Sequence, residues 1–434
     1  MGVVHLPAGP SSRAEVSPTA GGTSPAPVAA PLSHVVVAPV DQVDLGAATR
    51  MFEDPELKGK PYTECLFQGR SWVYDPIVGP DNTVYVGCGD DHLYAFNPDG
   101  SMKWKAPVGL VLSAPAVAPD GTVYAGNDDG QLVALNADGT EKWRFKTAYG
   151  QVGSATVDAQ GDVYFGSGDC HVWAVHADGT RKWAFECQGG VSAPPVVGED
   201  GRVYVGDLFG RLHAFDAADG HEIWGRESYE AFQGPVALGK DGTVLMTRWK
   251  SLEALDPATG KTLWSRPAEP GRQAGPAVDA DGHVVVAGWD GSLRFYDGQG
   301  TEVRRATVSA TLATTPRVGP DGMVVVRDTS RRVWAFDHDG NVIWSQGMPD
   351  AAKGGSLLTS LDVAADGTVY VGNNDGTLTA MHFRTVAQRR DDAEQAQEMS
   401  GGKREPPRIE VGEEWIVIGG VKVPVKRPSG PGRA

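Results

Sequence analysis

A repeat of about 40 residues is the feature that most constrains this chain. It is marked eight times by an apolar strand that follows a turn of the Asp-Gly type, starting at residues 81, 120, 160, 200, 241, 281, 321 and 366. In the copy at 113–143, three short alternating runs are separated by such turns, and a fourth run ends on Trp143. Each copy therefore predicts one four-stranded antiparallel sheet.

Eight such sheets predict an all-β fold, an eight-bladed β-propeller of four-stranded antiparallel blades. An open solenoid would need capping repeats, and the sequence shows none. The eighth copy has strands near 359–364, 367–373 and 377–383, but no fourth strand follows Phe383. Counting one period back from Trp104 arrives at Cys65, within the apolar segment 62–68. We expect this N-terminal strand to complete blade 8 and close the ring; the alternative is an unpaired edge strand.

A tryptophan recurs in the fourth run of most copies, and its large ring predicts contact with the neighbouring blade. These residues are predicted to be structural, inter-blade side chains: Trp104, Trp143, Trp183, Trp224, Trp264 and Trp344, with Arg304 in the corresponding place of the sixth copy. Residues 254–264 read A-x-D-x-x-T-G-x-x-x-W. This motif resembles the repeat of the pyrroloquinoline-quinone-type (PQQ-like) propellers, and the resemblance covers about residues 60–384.

The resemblance implies two classes of function. Some PQQ-like propellers are dehydrogenases that hold pyrroloquinoline quinone and calcium, and others are non-catalytic binding scaffolds, such as the propeller lipoprotein of the outer-membrane assembly machine. The vicinal cysteines, calcium ligands and long insertions of the dehydrogenases have no counterpart in this sequence. We therefore predict no cofactor, no metal and no catalytic residue. A quinoprotein dehydrogenase-like or polysaccharide-active enzyme is the alternative.

Composition divides the chain into five parts. Residues 1–58 are rich in Pro, Ala and Ser and are predicted to be disordered, and 59–384 form the propeller. A polar linker is expected at 385–408, a β-hairpin at 409–428 and a disordered end at 429–434. The hairpin either packs on the propeller or awaits a partner. The net charge of −16 disfavours nucleic acid and anionic lipid as partners, and no apolar run is long enough for a membrane span.

The start of the sequence, MGVVHLPAGP, lacks the basic and apolar regions of a signal peptide, so a cytoplasmic location is expected. Export by a non-standard route, or a role as a cell-envelope assembly or surface protein, is the alternative. Four cysteines include no C-x-x-C pair. Cys170 and Cys187 are expected to lie opposite each other on one hairpin, either as free thiols or as a disulfide. The histidines, His213 among them, are assigned surface or structural roles.

One surface stands out as a candidate binding site. Aligning the turns between second and third strands gives Gly89, Asp128, Gly168, Leu208, Trp249, Trp289, Thr329 and Asn374 at equivalent positions. Apolar residues occupy this position in blades 4 to 6. Exposed aromatic residues bordered by arginine are typical of protein-binding hot spots. We therefore predict a scaffold that binds a protein or peptide, or alternatively a carbohydrate, through these residues: Leu208, Phe209, Tyr229, Phe232, Arg248, Trp249 and Trp289. The competing interpretation is that these side chains fill gaps between blades.

Overall fold

The computed structural model describes residues 62–68, 73–227, 234–248, 250–268, 274–347, 360–373, 376–382, 410–411, 415–418 and 421–424. Within these ranges the chain forms eight four-stranded antiparallel sheets and one three-stranded sheet. The eight sheets are the blades of a propeller, as the repeat predicts. The first strands of neighbouring blades lie alongside one another, so they surround the central axis.

Blades 1 to 4 each use four strands that are consecutive in sequence. Blade 1 contains β2 Ile77–Val78, β3 Val84–Cys88, β4 His92–Phe96 and β5 Met102–Pro107. Blade 2 contains β6 Ala116–Val117, β7 Val123–Gly126, β8 Gln131–Leu135 and β9 Glu141–Lys146. Blade 3 contains β10 Val152–Val157, β11 Val163–Ser167, β12 His171–Val175 and β13 Arg181–Glu186. Blade 4 contains β14 Val196–Val197, β15 Arg202–Gly206, β16 Arg211–Asp216 and β17 Glu222–Glu227.

Blades 5 to 7 repeat this arrangement, and blade 8 has three consecutive strands. Blade 5 contains β18 Ala237–Leu238, β19 Val244–Arg248, β20 Ser251–Leu255 and β21 Thr262–Pro267. Blade 6 contains β22 Ala277–Val278, β23 Val284–Ala287, β24 Ser292–Tyr296 and β25 Glu302–Thr307. Blade 7 contains β26 Arg317–Val318, a 3-10 turn Pro320–Gly322, β27 Val324–Arg327, β28 Arg332–Phe336 and β29 Val342–Gly347. Blade 8 contains β30 Leu361–Val363, β31 Val369–Gly372 and β32 Thr377–His382.

The burial pattern explains why the second and third strands are almost continuously apolar. Val84–Cys88 is buried at every position, because blades pack against both faces of each sheet. Glu141–Lys146, a fourth strand at the outer edge, instead alternates between exposed and partly buried residues. The hydrophobic core is consequently divided into clusters between adjacent blades, such as the one that joins Tyr85 of blade 1 to Val123 of blade 2.

The N-terminal strand closes the ring, as the sequence predicts. β1, Tyr62–Gln68, pairs antiparallel with β32 and is the fourth strand of blade 8. The register pairs Glu64 with Ala380. The equivalent pair in blade 1 is Trp104 with Ala95, so Glu64 rather than Cys65 occupies the tryptophan position. The position predicted by counting back one repeat from Trp104 is therefore correct to within one residue.

Two carboxylates bond across the junction between blades 8 and 1. The backbone N–H of Val78 donates to Asp362 Oδ2 at 2.8 Å, and the N–H of Ser360 donates to Asp75 Oδ1 at 2.5 Å. Burial is the largest influence on both carboxyl groups, and it raises the pKa of Asp75 and of Asp362. These bonds join first strands of blades that are about 280 residues apart in sequence.

Five tryptophans make the same contact with the next blade. The indole N–H donates to a backbone carbonyl in the hairpin between the third and fourth strands of that blade. The donor and acceptor pairs are Trp104 to Ala137, Trp143 to Ala177, Trp183 to Ala217, Trp224 to Pro257 and Trp264 to Gly298, at 2.9 to 3.0 Å. The glycine that ends each hairpin lies under the ring. A Cβ on Gly179, where φ is +84°, would lie 2.6 Å from the Trp143 ring.

Two copies depart from this pattern. Arg304 replaces the tryptophan in blade 6, and its Cδ lies 3.1 Å from the place of a Cβ on Gly340, so its aliphatic stem covers the same glycine. Trp344 of blade 7 faces blade 8, whose fourth strand comes from the N-terminal segment and forms no hairpin with the third. Trp344 packs instead on a cluster that includes Val325 and Val371.

The C-terminal segment forms a sheet of its own. β34 Trp415–Ile418 and β35 Val421–Pro424 pair antiparallel, within the hairpin predicted at 409–428. A third strand that the sequence did not predict, β33 Glu410–Val411, pairs with β34. The predicted tail at 1–58 and linker at 385–408 lie outside the described residues.

Candidate functional site

The antiparallel topology gives the propeller two different faces. The hairpin face carries the turns between first and second strands and between third and fourth strands. The loop face carries the turns between second and third strands together with the blade-to-blade connections. These two parts of the loop face are bonded to each other: the N–H of Asp128 donates to Leu110 O at 3.1 Å, and that of Leu208 donates to Gly190 O at 3.0 Å. The turns of the loop face are thereby fixed against the preceding blade.

Leu208 and Phe209 form the tip of such a turn in blade 4. The carboxylate of Asp207 accepts a hydrogen bond from the Arg211 N–H at 2.9 Å, and Gly210 adopts a φ of +88°, so the turn is closed on both sides. Leu208 is 42% exposed and Phe209 is 68% exposed. The Phe209 ring lies over Gly189 of the preceding loop, where a Cβ would be 2.3 Å from Phe209 Cδ2. The ring is therefore supported from below and open to solvent above.

Trp289 occupies the equivalent turn of blade 6 and is 44% exposed. Asp290 Oδ1 accepts hydrogen bonds from the N–H and the hydroxyl of Ser292, at 3.0 and 2.5 Å. Gly291 has a φ of +79°, and a Cβ there would lie 2.3 Å from Val308 O. The backbone that carries the indole is thus fixed by the turn and by the following loop.

Arg248 shares its carboxylate partner with a second arginine. Its guanidinium pairs with Glu253 at 3.0 Å, and Arg226 pairs with the other oxygen of the same carboxylate at 2.5 Å. Glu253 is 6% exposed, so its buried charge is compensated, and the cluster of two arginines and one carboxylate keeps one net positive charge. Three members of the predicted set, Tyr229, Phe232 and Trp249, lie outside the described residues. The structure therefore brings Leu208 and Phe209 together, and it places Trp289 on the same face two blades away.

Tyr149 is a further exposed aromatic residue on this face that the sequence alignment of turns did not include. It is 63% exposed and lies in the connection between blades 2 and 3. The adjoining Gly150 packs on Gly168 of the next turn, with a Cβ position 2.9 Å from Gly168 C. The sequence signal for it is an aromatic residue before a glycine in a blade-to-blade connection, whereas the aligned turns all lie inside blades.

The exposed large hydrophobic residues of the described chain fall into two groups. Four lie on the loop face, namely Tyr149, Leu208, Phe209 and Trp289. The other four lie on outer fourth strands, namely Met102, Leu263, Val303 and Val342. Within the described ranges, none lies in a turn of the hairpin face. Among the described turns, the exposed aromatic groups therefore lie on the loop face.

Three groups of side chains have the composition of metal ligands. Asp216, Asp219 and His221, and likewise Asp279, Asp281 and His283, lie in turns of the hairpin face and include exposed members. The third group, Cys187, Asp207 and His213, is buried between blades 3 and 4. Burial, followed by the nearby charges of Asp207 and Glu222, raises the pKa of the Cys187 thiol to about 12. Sequence reasoning assigned His213 a structural role and missed this group.

Cys187 also has a second thiol close by. Its N–H donates to Cys170 O at 2.7 Å, so the two residues are opposite each other at the end of the hairpin, as expected. Both are free thiols in the structure. Within the described residues, no helix has the length and hydropathy that a membrane span requires.

Comparison with known proteins agrees with this architecture. Fold and repeat together define a PQQ-like β-propeller. The profile of one family, described as "Outer membrane protein assembly factor BamB", matches residues 67–175, 168–248 and 248–404. These matches cover most of the chain, and the protein belongs to that family. No curated protein matches it.

Two solved structures share the fold. BamB from Moraxella catarrhalis is 20% identical, with a TM-score of 0.58, and the alignment covers 74% of this chain and 96% of that one. The computationally designed Ika8 protein is 16% identical, with a TM-score of 0.62, and the alignment covers 74% of this chain and 98% of that one. At these identities the likeness concerns the fold alone.

Proposed function

We propose that this protein is a non-enzymatic scaffold of the cell envelope that binds a protein partner through the loop face of blades 4 to 6. The observation that carries the proposal is the concentration of exposed Leu208, Phe209 and Trp289 on turns whose backbones are fixed. Aromatic groups held in place lose little conformational entropy when a partner covers them. The family's description, an outer membrane protein assembly factor, favours a protein as that partner and the envelope as the location. The cytoplasmic location expected from the sequence has no support in the comparisons.

The chemistry of this surface favours a peptide or protein over a small molecule. Leu208 and Phe209 project from one turn, and Trp289 projects from a turn two blades away. A partner that contacts both must extend across the intervening blade 5. Arg248 of that blade is held in an ion pair with Glu253, so we assign the main attraction to contact with the exposed apolar side chains. The proposed function requires neither pyrroloquinoline quinone nor calcium.

The test compares surface variants with matched exposure. The full chain is used to capture proteins from solubilised cell envelopes, and the captured proteins are identified by mass spectrometry. We expect Phe209→Ser and Trp289→Ser each to reduce capture of a specific partner at least about tenfold. Leu263→Ser and Val303→Ser, at outer-strand positions of 56% and 49% exposure, should leave capture unchanged.

Equal losses of capture in all four variants would show that the partner was retained by nonspecific hydrophobic binding and not by the loop face. Unchanged capture by the Phe209 and Trp289 variants would refute the proposal. Melting temperatures of all variants are measured first, so that loss of folding is not read as loss of binding.

A further inference from the structure

Three side chains of different ligand type converge in the interior between blades 3 and 4. Cys187 follows the last strand of blade 3, Asp207 follows the second strand of blade 4, and His213 lies in its third strand. One ligand atom from each lies within 4.8 Å of the other two, and the residues are 7%, 0% and 2% exposed. We propose that Cys187, Asp207 and His213 form a binding site for Zn²⁺. Such a site goes beyond the proposed scaffold function and does not depend on it.

The separation of the ligand atoms suits tetrahedral coordination. His213 Nε2 lies 3.4 Å from Asp207 Oδ2, which is long for a hydrogen bond between charged or polar groups. Ligand distances of about 2.0 to 2.2 Å place nitrogen and oxygen ligands of a tetrahedral zinc roughly 3.4 Å apart. The thiol needs to approach these atoms by about 1.2 Å at most, since the ligand atoms lie within 4.8 Å of one another and the sulfur to nitrogen separation in such a site is roughly 3.6 Å.

The second nitrogen of His213 is already held as a metal ligand requires. Nδ1 lies 2.8 Å from Glu222 Oε1, and Glu222 is held in turn by the guanidinium of Arg211 at 3.0 Å. A hydrogen bond from Nδ1–H to a carboxylate leaves the Nε2 lone pair free and directs it at the other two ligands. Carboxylate, imidazole and metal in this order are the usual arrangement around zinc-bound histidines.

The thiol of Cys187 points to a ligand independently of the histidine. Cys187 is 7% exposed, so its sulfur lies in the interior with the other two ligand atoms. The neighbouring carboxylates of Asp207 and Glu222 disfavour a thiolate on their own. A divalent cation would offset them, because one thiolate and one aspartate neutralise its charge. Thiolate is a soft ligand and imidazole is a borderline one, and both favour zinc over calcium or magnesium, which prefer oxygen ligands.

Equivalent positions in other junctions show that the fold does not require these residues. The corresponding three positions are Val108, Asn127 and Val133 between blades 1 and 2; Thr147, Ser167 and Trp173 between blades 2 and 3; Ala268, Gly288 and Arg294 between blades 5 and 6; and Val308, Asp328 and Trp334 between blades 6 and 7. At the last junction, Trp334 Nε1 donates to Asp328 Oδ2 at 2.8 Å, so that aspartate has a partner. Among these described junctions, only the one between blades 3 and 4 combines thiol, carboxylate and imidazole.

A protonated His213 between Asp207 and Glu222 is the competing explanation. It accounts for the two carboxylates, since an imidazolium donates from both nitrogens. It gives no role to the buried Cys187 thiol. The two explanations differ in whether sulfur contacts an added metal ion, and this can be observed directly.

The experiment uses the full chain, stripped with a chelator and kept reduced. Co²⁺ is titrated and absorption of the thiolate-to-cobalt charge-transfer band is recorded; Zn²⁺ is then added in competition, and bound zinc is counted by elemental mass spectrometry. We expect one Zn²⁺ per chain and a cobalt band that zinc abolishes. Cys187→Val, which installs the residue found at the same position in blades 1 and 6, should remove the band and weaken zinc binding at least about 100-fold.

Two further variants complete the test. Glu222→Gln should weaken zinc binding about 10- to 100-fold while keeping the thiolate band, since it alters only the support of His213. His221→Asn, in an exposed group of similar composition, should change affinity less than about threefold. Absence of the band in the folded wild-type protein, or unchanged zinc affinity and stoichiometry in Cys187→Val, would overturn the proposal. Partner capture is measured separately, so its failure would leave this result standing.

Discussion

The two faces of the propeller differ in how far their turn residues repeat from blade to blade. On the hairpin face the same bond recurs: Asp138 Oδ1 accepts from the N–H and hydroxyl of Thr140, and Asp178 accepts in the same way from Thr180, at 2.6 to 3.0 Å. On the loop face, equivalent positions hold Gly168, Leu208 or Trp289. Repetition marks positions where backbone geometry demands one residue type. Positions whose residue type varies from blade to blade are those where the fold accepts many side chains. The exposed aromatic groups lie at such positions.

The largest expected effect contrasts two tryptophans. Trp183 is 6% exposed and contacts blade 4, so Trp183→Ala should lower the free energy of unfolding by about 3 to 5 kcal/mol. Trp289→Ala on the loop face should change it by less than about 0.5 kcal/mol. Denaturant unfolding measures both. A loss for Trp289→Ala as large as that for Trp183→Ala would mean that Trp289 fills a gap between blades.

A smaller effect is expected from two glycines of the hairpin face. Gly179→Ala forces a positive φ on alanine and pushes its Cβ into the Trp143 ring, so it should cost about 3 kcal/mol. Gly201→Ala has a similar φ of +75° but nothing within 4 Å of the new Cβ, and should cost about 1 kcal/mol. The difference, read from unfolding curves, isolates the contact with the indole. Equal costs would show that the ring moves aside.

The turns of the hairpin face also predict a dependence of stability on pH. The Thr140 and Thr180 hydroxyls, with the adjoining backbone N–H groups, hold the pKa of Asp138 and of Asp178 below the ordinary value. A folded-state pKa below the unfolded one stabilises the protein above the unfolded pKa of about 3.9, and this stabilisation is lost as the pH falls through the folded pKa.

Thr140→Val should therefore raise the pKa of Asp138 toward its ordinary value and reduce the loss of stability on acidification. Carboxyl chemical shifts followed by NMR between about pH 6 and pH 2 measure the first effect, and unfolding at each pH measures the second. An unchanged pKa of Asp138 in this variant would show that the backbone N–H alone sets it. Asp178, in the corresponding hairpin of the next blade, keeps its own threonine and serves as the internal control.

The smallest effect is expected on the loop face itself. Tyr149→Ala and Phe209→Ala remove rings that are 63% and 68% exposed, so each should change the free energy of unfolding by less than about 0.5 kcal/mol. A thermal shift series is sufficient to detect more. A loss above about 1 kcal/mol would show that the ring stabilises its loop, and the difference between the two faces would then be one of degree.

Most of the fold could be predicted because the local sequence of each blade contains the signals for its own strands and turns. The turn residues, the alternation and the period define four strands and their order, and the missing fourth strand of blade 8 predicts its replacement by residues 62–68. The exact register did not follow, since a β-bulge between Cys65 and Phe67 shifts the pairing. A count of residues cannot anticipate a bulge whose position depends on the packing of the sheet.

The candidate sites were less accessible to sequence reasoning. Leu208, Phe209 and Trp289 could be selected because the repeat supplies an alignment in which they are exceptions. Cys187 and His213 are also exceptions at their positions, but they belong to different blades, and only the packing of one blade on the next brings them together.

The position of β1 has a consequence for how the molecule is made. Residues 62–68 leave the ribosome before any complete blade, yet their partner strand begins about 300 residues later, at Thr377. At roughly 5 to 20 residues per second, this segment waits on the order of 15 to 60 s for its partner during synthesis. A nascent chain therefore carries an unpaired β1 and an incomplete blade 8 until Thr377–His382 has been synthesised. Premature termination anywhere before Thr377 would release both edges together.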